Sequence, residues 1–269
     1  MSYFFGGITM KILIIGGDKR MLFAKSYLET EGFETDTLGL FADDSGDIKE
    51  SDIILLPVPA TRDKVNINCP LTQREIPIDF LNEAPKNAII LSGGLQLQRQ
   101  NFVNYLALDS YAVLGAVPTA EGAIHCAIEN TDITLWGANI LIIGYGRVSK
   151  ILTNRLLAFG CNLTVSARNN TDFSYLDALK INRIHTKEVP KKINDFDIVF
   201  NTIDIPILNG NGVSKNTLII DLSTKGCFLS NEEKVNLIKL PAIPGRIAPK
   251  TAGQIIAQTV IQQIDLFRR

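Results

Sequence analysis

Short runs of consecutive apolar residues recur along the chain, and between them apolar residues fall at helical spacing. A strand buried on both faces is continuously apolar, and alternation of such strands with helices is typical of parallel βαβ units. The sequence therefore predicts an α/β fold made of two doubly wound parallel-sheet domains.

The first domain is predicted to be flavodoxin-like and to span residues 1–120. Its helix Lys19–Glu31 starts at Asp18, which we interpret as the helix cap. The irregular stretch Pro57–Pro85 is expected at the carboxyl ends of the strands, where ligands bind in this architecture. The predicted strands are Lys11–Ile15, Phe33–Leu38, Asp52–Leu56, Ala88–Leu91 and Tyr111–Leu114.

The second domain is predicted over residues 121–250. It opens with a connecting segment, 121–134, that contains the helix Glu121–Asn130. The helix Thr251–Phe267, within the segment 251–269, is expected to return to the first domain. The strands predicted between them are Asn139–Ile143, Asn162–Ala167, Asp197–Thr202, Leu218–Leu222 and Leu237–Leu240.

Composition narrows the class of protein. Of 269 residues, 46% are hydrophobic and 20% charged, and the net charge is −1, so no overall field favours nucleic acid or an acidic membrane. The four cysteines form no C-x-x-C pair, which predicts free thiols and no metal site. The start, Met1–Met10, is too short and lacks the basic residues of a signal peptide, so we expect a cytoplasmic protein without a membrane span.

The most specific local signal is the segment Asn139–Ser149, in which a strand leads into G-Y-G-R-V-S and then a helix. Gly144 permits the tight turn, and Gly146 lets a pyrophosphate approach the backbone at the start of the helix. The small Ser149 replaces the third glycine. The second domain is thereby predicted to be a Rossmann NAD(P)-binding domain, with Tyr145, Arg147 and Val148 also at the cofactor.

The next strand favours NADP, with NAD as the alternative. NAD-binding domains usually carry an acidic residue at its end, whereas this chain offers Ser166 and Arg168, which suit a 2′-phosphate. A third strand ends in Asn201, Thr202 and Ile203, which we expect on the nicotinamide side.

Several segments together resemble one family, that of the A subunit of dipicolinate synthase, from about Lys11 to the C-terminus. They are Pro118-Thr-Ala-Glu-Gly122, the G-Y-G-R loop, Asn201-Thr-Ile, Asp221-Leu-Ser, and Pro244-Gly-Arg-Ile-Ala-Pro-Lys-Thr-Ala-Gly253. The resemblance implies an NAD(P)-dependent enzyme of spore-forming bacteria that acts in the mother-cell cytoplasm. It implies oxidation of a dihydro- or hydroxytetrahydro-dipicolinate precursor to the aromatic diacid, together with a flavoprotein-like second subunit. We also expect that the chain can form a homo-oligomer.

A dicarboxylate substrate needs groups that bind two carboxylates and one group that accepts a proton. Glu121, expected in the first turn of the connecting helix, and His125, one turn later, are the candidate catalytic residues. Thr119 is expected to cap that helix, and Thr251 to cap the last one. The candidate substrate-binding residues are Arg62, Ser92, Gly93, Thr119, Arg246, Lys250 and Thr251, with the glycine turn after Ser92 as an anion-binding nest.

Two other functions remain open. One is a non-catalytic nucleotide-binding subunit of a hetero-oligomer, which would need the glycine loop but no carboxylate-binding set. The other is a dehydrogenase of a different small carboxylic acid, such as a 2-hydroxy acid. Such enzymes use a histidine late in the chain, and the only histidines here are His125 and His185.

Overall fold

The structure is a computed structural model that describes residues 10–240 and 243–267. Within them the strands are β1 Lys11–Ile15, β2 Glu34–Leu38, β3 Ile53–Leu55, β4 Ile89–Ser92, β5 Phe102–Asn104, β6 Asn139–Ile143, β7 Asn162–Ala167, β8 Asn182–His185, β9 Ile198–Asn201, β10 Leu208–Asn209, β11 Leu218–Asp221, β12 Phe228–Ser230 and β13 Asn236–Lys239. The α-helices are α1 Lys19–Thr30, α2 Asp109–Glu129, α3 Arg147–Leu157, α4 Asn170–Ala178, α5 Val189–Lys192, α6 Ile243–Ile247 and α7 Pro249–Phe267. The opening residues 1–9 lie outside the described part.

The chain divides into two compact units, residues 1–115 with 248–269, and residues 116–247. The first unit contains a five-stranded parallel sheet in the order β2-β1-β3-β4-β5, a flavodoxin-like arrangement. Helices α1 and α7 pack together on one face of this sheet. The other face is covered by irregular segments and short 3₁₀ helices between residues 48 and 84.

The second unit contains a six-stranded parallel sheet in the order β13-β11-β9-β6-β7-β8. Read from β8, this is the 3-2-1-4-5-6 order of a Rossmann fold, and the order reverses between β6 and β9. The strands are apolar and buried because helices cover the sheet; Ile140, Ile142 and Phe200 are fully buried. The predicted α/β class with two parallel sheets is confirmed.

One predicted strand is wrong. Tyr111–Leu114 lies in the first turns of α2, and the fifth strand is Phe102–Asn104. A short apolar run has the same composition in a strand as in a half-buried helix, so periodicity over four residues does not separate the two.

Helix α2 is longer than the predicted helix Glu121–Asn130, because it starts at Asp109. Thr119 and Glu121 therefore lie inside it, so neither the cap nor the first-turn position predicted for them holds. By length and composition alone α2 would suffice to cross a membrane, but Ala120, Ala123 and Ala127 belong to the core of the second unit. This is the pattern of a core helix.

Of the two other predicted helix caps, the one at α1 is present and the one at α7 is not. Asp18 caps α1 as predicted, and its carboxylate accepts a hydrogen bond from the backbone N–H of Arg20 at 3.0 Å. Helix α7 starts at Pro249, so Thr251 lies in the first turn and does not cap it.

Candidate functional site

The glycine loop between β6 and α3 has the geometry that a dinucleotide requires. Gly144 has φ +98°, in the region that favours glycine, and a Cβ there would stand 2.5 Å from Cγ2 of Ile203. Ser149 donates a hydrogen bond from Oγ to the Gly144 carbonyl at 2.7 Å. This serine ties the start of α3 to the end of β6, the close packing expected where the third glycine is replaced.

A cavity of about 280 Å³ opens at this loop, at the point where the strand order reverses. A Cβ on Gly146 would meet no atom within 4 Å, and no side chain caps α3. The helix N-terminus, with its partial positive charge, is therefore left to a ligand anion. The cavity is lined by Gly144, Tyr145, Gly146, Ala167, Arg168, Asn169, Asp172, Thr186, Thr202 and Ile203.

Arg168 directly follows β7 and lines this cavity with its side chain exposed. Among the described residues it has no hydrogen-bond or ion-pair partner. In NAD-binding domains an acidic residue occupies the end of this strand and holds the ribose hydroxyls. An arginine without a protein partner in that place supports binding of a 2′-phosphate.

Ser166, the other predicted 2′-phosphate ligand, has a different role. It is fully buried, and its Oγ accepts a hydrogen bond from the Gly144 N–H at 3.1 Å and lies 3.3 Å from Oγ1 of Thr186. The hydroxyl therefore points into the domain and stabilises the glycine turn, so the predicted direct contact with the cofactor is corrected.

Asp172 lines the cofactor cavity, although the sequence did not single it out. Its backbone N–H donates to Oδ1 of Asn169, the cap of α4, and its Oδ2 accepts from Nδ2 of Asn169, both at 2.8 Å. A carboxylate here opposes a 2′-phosphate and favours ribose hydroxyls, so Arg168 and Asp172 act on cofactor choice in opposite directions. The signal available in the sequence is the three-residue spacing from a capping asparagine.

Aromatic rings stand beside the start of α3. The Nζ atom of Lys150 lies 5.2 Å from the ring centroid of Tyr145 and 5.8 Å from that of Tyr175. Burial and the charge of Asp172 raise the pKa of the Tyr145 phenol. Of the other predicted cofactor residues, Arg147 and Val148 form the first turn of α3.

The residues after β9 were predicted on the nicotinamide side. Thr202 and Ile203 do line the cavity, with Oγ1 of Thr202 donating to the Ile143 carbonyl at 2.8 Å. Asn201 is fully buried, and its Nδ2 donates to Oδ1 of Asp221 at 2.8 Å and to the Ile203 carbonyl at 3.0 Å. The prediction that Asn201 contacts the cofactor is therefore corrected: this side chain holds the loop that carries Ile203.

Asp221 is a buried carboxylate that organises the next loop. Besides Asn201 it accepts hydrogen bonds from the N–H and Oγ of Ser223 at 3.0 and 2.7 Å, and from the Cys227 N–H at 3.0 Å. Burial, and then the charge of Asp221, raise the pKa of the Cys227 thiol. The Asp-Leu-Ser segment thus fixes the turn after β11.

The two candidate catalytic residues lie away from the glycine loop. Glu121 is exposed and accepts hydrogen bonds from Nη2 and Nε of Arg155 at 2.9 and 3.1 Å. Arg155 is eight residues along α3 from its start, a distance of about 12 Å at 1.5 Å per residue. His125 is exposed on α2, with Nδ1 3.7 Å from Oε2 of Glu129. Neither lines the cofactor cavity, and their catalytic roles stay predictions.

The predicted anion nest after β4 is also corrected. Ser92 and Gly93 are buried, and the Ser92 Oγ accepts a hydrogen bond from the Leu95 N–H at 3.1 Å. The Gly94 N–H donates to Oδ1 of Asn104 at 3.1 Å, so both of these amides have protein partners. Gly93 lies against the Pro57 backbone, which leaves no room for an anion on that side.

The remaining substrate candidates stay separate predictions. Arg62 lines a second cavity, in the first unit. Lys250 and Thr251 are exposed in the first turn of α7, in the same unit. Thr119 lies inside α2 and Arg246 is exposed on α6, both in the second unit. Within the part of the chain that the structure describes, no group of histidine, cysteine or carboxylate side chains is arranged to hold a metal ion.

Comparison with known proteins agrees with the two-unit division. The family model of the N-terminal domain of the dipicolinate synthase A subunit matches residues 11–114, and a putative NAD(P)-binding family model matches residues 133–216. The A subunit of dipicolinate synthase from Bacillus subtilis (strain 168) is 30% identical over 93% of this chain and 94% of its own length.

Two solved structures share the whole fold. The A subunit of dipicolinate synthase from Bacillus halodurans is 26% identical with a TM-score of 0.86, covering 96% of this chain and 98% of its own. The dipicolinate synthase A chain from Bacillus subtilis is 27% identical with the same TM-score, covering 97% of both chains.

Proposed function

The chain belongs to the family of dipicolinate synthase A subunits, and on that premise we propose that it is an NADP-dependent oxidoreductase that makes dipicolinate. The substrate is a dihydro-dipicolinate precursor, which loses a hydride and a proton to become aromatic, or a hydroxytetrahydro-dipicolinate precursor, which loses one molecule of water as well. The names of the relatives and the glycine-loop cavity support a nicotinamide-dependent role in this synthesis.

The residues present fit the cofactor. The open space at Gly146 and the uncapped start of α3 suit a pyrophosphate, and Tyr145 with Ile203 borders the same cavity. NADP, when bound, supplies the hydride acceptor. The protein contributes position: buried Ser166 and Asn201 hold the two loops that border the cavity.

Arg168 is the single observation that favours NADP over NAD. Its guanidinium has no partner among the described residues and lines the cavity where an acidic residue would hold ribose hydroxyls. A 2′-phosphate gives it a doubly charged ligand with matching fork geometry. Asp172 is held at the cap of α4 by Asn169, and its charge opposes this preference.

We further propose that the protein works with a flavoprotein-like second subunit, in the mother-cell cytoplasm during sporulation. The names of the relatives, each of which describes one component of a synthase, support a hetero-oligomer. No residue of the described cavity is a clear proton acceptor apart from Asp172, which is held at the α4 cap. A shared active site, completed in the complex, would account for this.

The test is an absorbance assay for NADPH in the near ultraviolet. Purified protein is mixed with NADP and freshly generated hydroxytetrahydrodipicolinate, with and without the second subunit, and NAD replaces NADP in parallel. We expect NADPH and dipicolinate to appear together, and faster with NADP than with NAD.

Arg168→Ala tests the cofactor preference, with Lys191→Ala as a control that removes an exposed cation that does not line the cavity. A hydrogen bond to a charged group contributes about 1.5–3 kcal/mol, so Arg168→Ala should weaken NADP binding about 10- to 100-fold and leave NAD binding unchanged. Equal losses of affinity for NADP and NAD would refute the assignment of Arg168 to the 2′-phosphate. NADP binding without any reduction, even with the second subunit, would favour the non-catalytic nucleotide-binding subunit instead.

A further inference from the structure

The first unit has its own cavity at the place where ligands bind in open α/β sheets. The sheet order reverses between β1 and β3, and the crevice outside the carboxyl ends of these strands is the usual binding site. The loop after β3 is seated there: the Gly17 N–H donates to the Asn68 carbonyl at 2.8 Å, and a Cβ on Gly16 would stand 2.7 Å from Sγ of Cys69.

The cavity in this loop measures about 330 Å³, within the range of small-molecule sites, which is roughly 300–1,000 Å³. Its charged lining residues are Arg62, Arg74, Asp63 and Glu75. The formal charges of these four residues cancel. The kind of ligand that the cavity binds therefore depends on how far hydrogen bonds and ion pairs within the protein already compensate each charge.

Arg62 is not neutralised. It is exposed, and within the described residues its guanidinium has neither a hydrogen bond nor an ion pair. All five of its N–H donors are available to a ligand in this structure.

Arg74 is only partly engaged. Its Nη1 donates to the Asp44 carbonyl at 2.8 Å and lies 3.5 Å from Oδ1 of Asp44. The Asp44 carboxylate is already occupied by three amides, those of Gly39, Leu40 and Phe41, at 2.6–2.9 Å. Burial would raise the pKa of Asp44, yet these amides hold it below its usual value. The remaining edge of the Arg74 fork is left without a partner among the described residues.

Asp63 is compensated within its own loop. The amides of Asn66 and Val65 each donate to its Oδ1 at 2.8 Å, and they hold its pKa at about 2. Its oxygens are therefore turned to the loop backbone. Glu75 is exposed and has no such donors in the described part of the chain. Both lining carboxylates oppose an anion, and the charge of Glu75 is the less compensated of the two.

We propose that this cavity binds a small dicarboxylate, with Arg62 and Arg74 each binding carboxylate oxygens. Guanidinium forks match carboxylates in shape and charge, and two incompletely paired forks in one cavity suit a ligand with two such groups. The choice of a pyridine dicarboxylate as the ligand rests on the proposed function, whereas the anion site rests on the cavity and its two arginines.

The test is isothermal titration of the full chain with dipicolinate, without nicotinamide cofactor, in chelator-treated buffer because dipicolinate binds divalent cations. Pyridine-2-carboxylate and inorganic phosphate are titrated in parallel. The variants are Arg62→Ala, Arg74→Ala and Glu75→Gln. Lys86→Ala is the control, because it removes an exposed cation three residues before β4 that does not line the cavity.

We expect saturable binding of dipicolinate, at least tenfold weaker in Arg62→Ala and Arg74→Ala, unchanged in Lys86→Ala and tighter in Glu75→Gln. Arg62→Lys should restore part of the affinity, because it keeps the charge without the fork. Circular dichroism of each variant separates loss of ligand from loss of fold.

The proposal is overturned if dipicolinate gives no saturable heat up to about 10 mM, or if both arginine variants bind as the wild type does. It is also overturned if Lys86→Ala loses as much affinity as they do, or if pyridine-2-carboxylate and phosphate bind as tightly as dipicolinate. Absence of NADPH formation with intact dipicolinate binding would count against the proposed reaction and not against this site.

Discussion

Substituting alanine for each of the two glycines of the G-Y-G loop should have different effects: at Gly144 on stability, and at Gly146 on cofactor affinity. Gly144→Ala places a Cβ at φ +98°, 2.5 Å from Cγ2 of Ile203 and 2.9 Å from Oγ1 of Thr202. An unfavourable backbone conformation costs about 1–3 kcal/mol and overpacking about 1–3 kcal/mol more. We therefore expect the free energy of unfolding to fall by about 2 kcal/mol or more.

Gly146→Ala meets neither obstacle. Gly146 has φ −86° and ψ −164°, which alanine adopts readily, and its Cβ would meet no atom within 4 Å. As a helix cap, alanine is poorer than glycine by less than about 1 kcal/mol. The methyl group would instead occupy the space proposed for the pyrophosphate, so stability stays near that of the wild type while cofactor affinity falls.

Thermal unfolding with and without NADP separates these effects. A ligand at 100 times its Kd stabilises a protein by about 2.7 kcal/mol, and a tenfold loss of affinity reduces this to about 1.4 kcal/mol. We expect Gly146→Ala to keep the unfolding temperature of the free protein but to lose much of the shift with NADP. Gly144→Ala should unfold at a lower temperature even without ligand. A Gly146→Ala protein with the full NADP shift would refute the assignment of the cavity to the cofactor. A Gly144→Ala protein as stable as the wild type would refute the reasoning about the loop geometry.

Two further predictions concern buried polar groups. Asp221→Asn keeps an oxygen for the three donors at Oδ1, from Asn201 and Ser223, but turns a buried N–H₂ toward the Cys227 N–H, which donates to Oδ2 in the wild type. We expect the free energy of unfolding in urea to fall by about 2 kcal/mol or more, and to change little in the exposed Asp204→Asn; equal losses would contradict this. Burial raises the pKa of the Cys69 thiol to about 11, above the value of the unfolded chain, so the stability that it contributes is complete below about pH 9 and is lost as the pH rises to 11. The wild type should therefore lose more stability than Cys69→Ala in unfolding measurements from pH 8 to 11, and parallel curves would exclude the effect.

The fold was predictable because buried strands are marked by their composition. Lys11–Ile15 and Asn139–Ile143 are apolar runs ended by glycine, and the structure has strands with those bounds. The edge strand Phe102–Asn104 has only three residues, none fully buried, so no composition marks it. The sequence instead predicts the fifth strand at Tyr111–Leu114, because a run of four apolar residues is too short to show whether its period is that of a helix or a strand.

The candidate site was predictable in position but not in the direction of each side chain. Ser166 and Asn201 are polar and stand at the ends of strands, as cofactor ligands do, yet both hydrogen-bond inward. A sequence shows that a polar residue lies at a strand end, but not which backbone groups there need partners. Arg168, whose long charged side chain is costly to bury, was the safer prediction at that edge.

The segments by which the chain resembles its family owe part of their pattern to helix packing. In P-T-A-E-G, a Cβ on Gly122 would collide with the side chain of Ile243 on α6. In the second motif, a Cβ on Gly253 would collide with the backbone of α1 at Arg20, so that glycine allows α7 to lie close against α1. A glycine inside a helix lowers helix stability by about 1 kcal/mol relative to alanine. At both positions this loss accompanies a close contact between helices that a larger residue would prevent. Part of each motif therefore reflects the architecture, whereas the ligand contacts that we propose lie with the arginines of the two cavities.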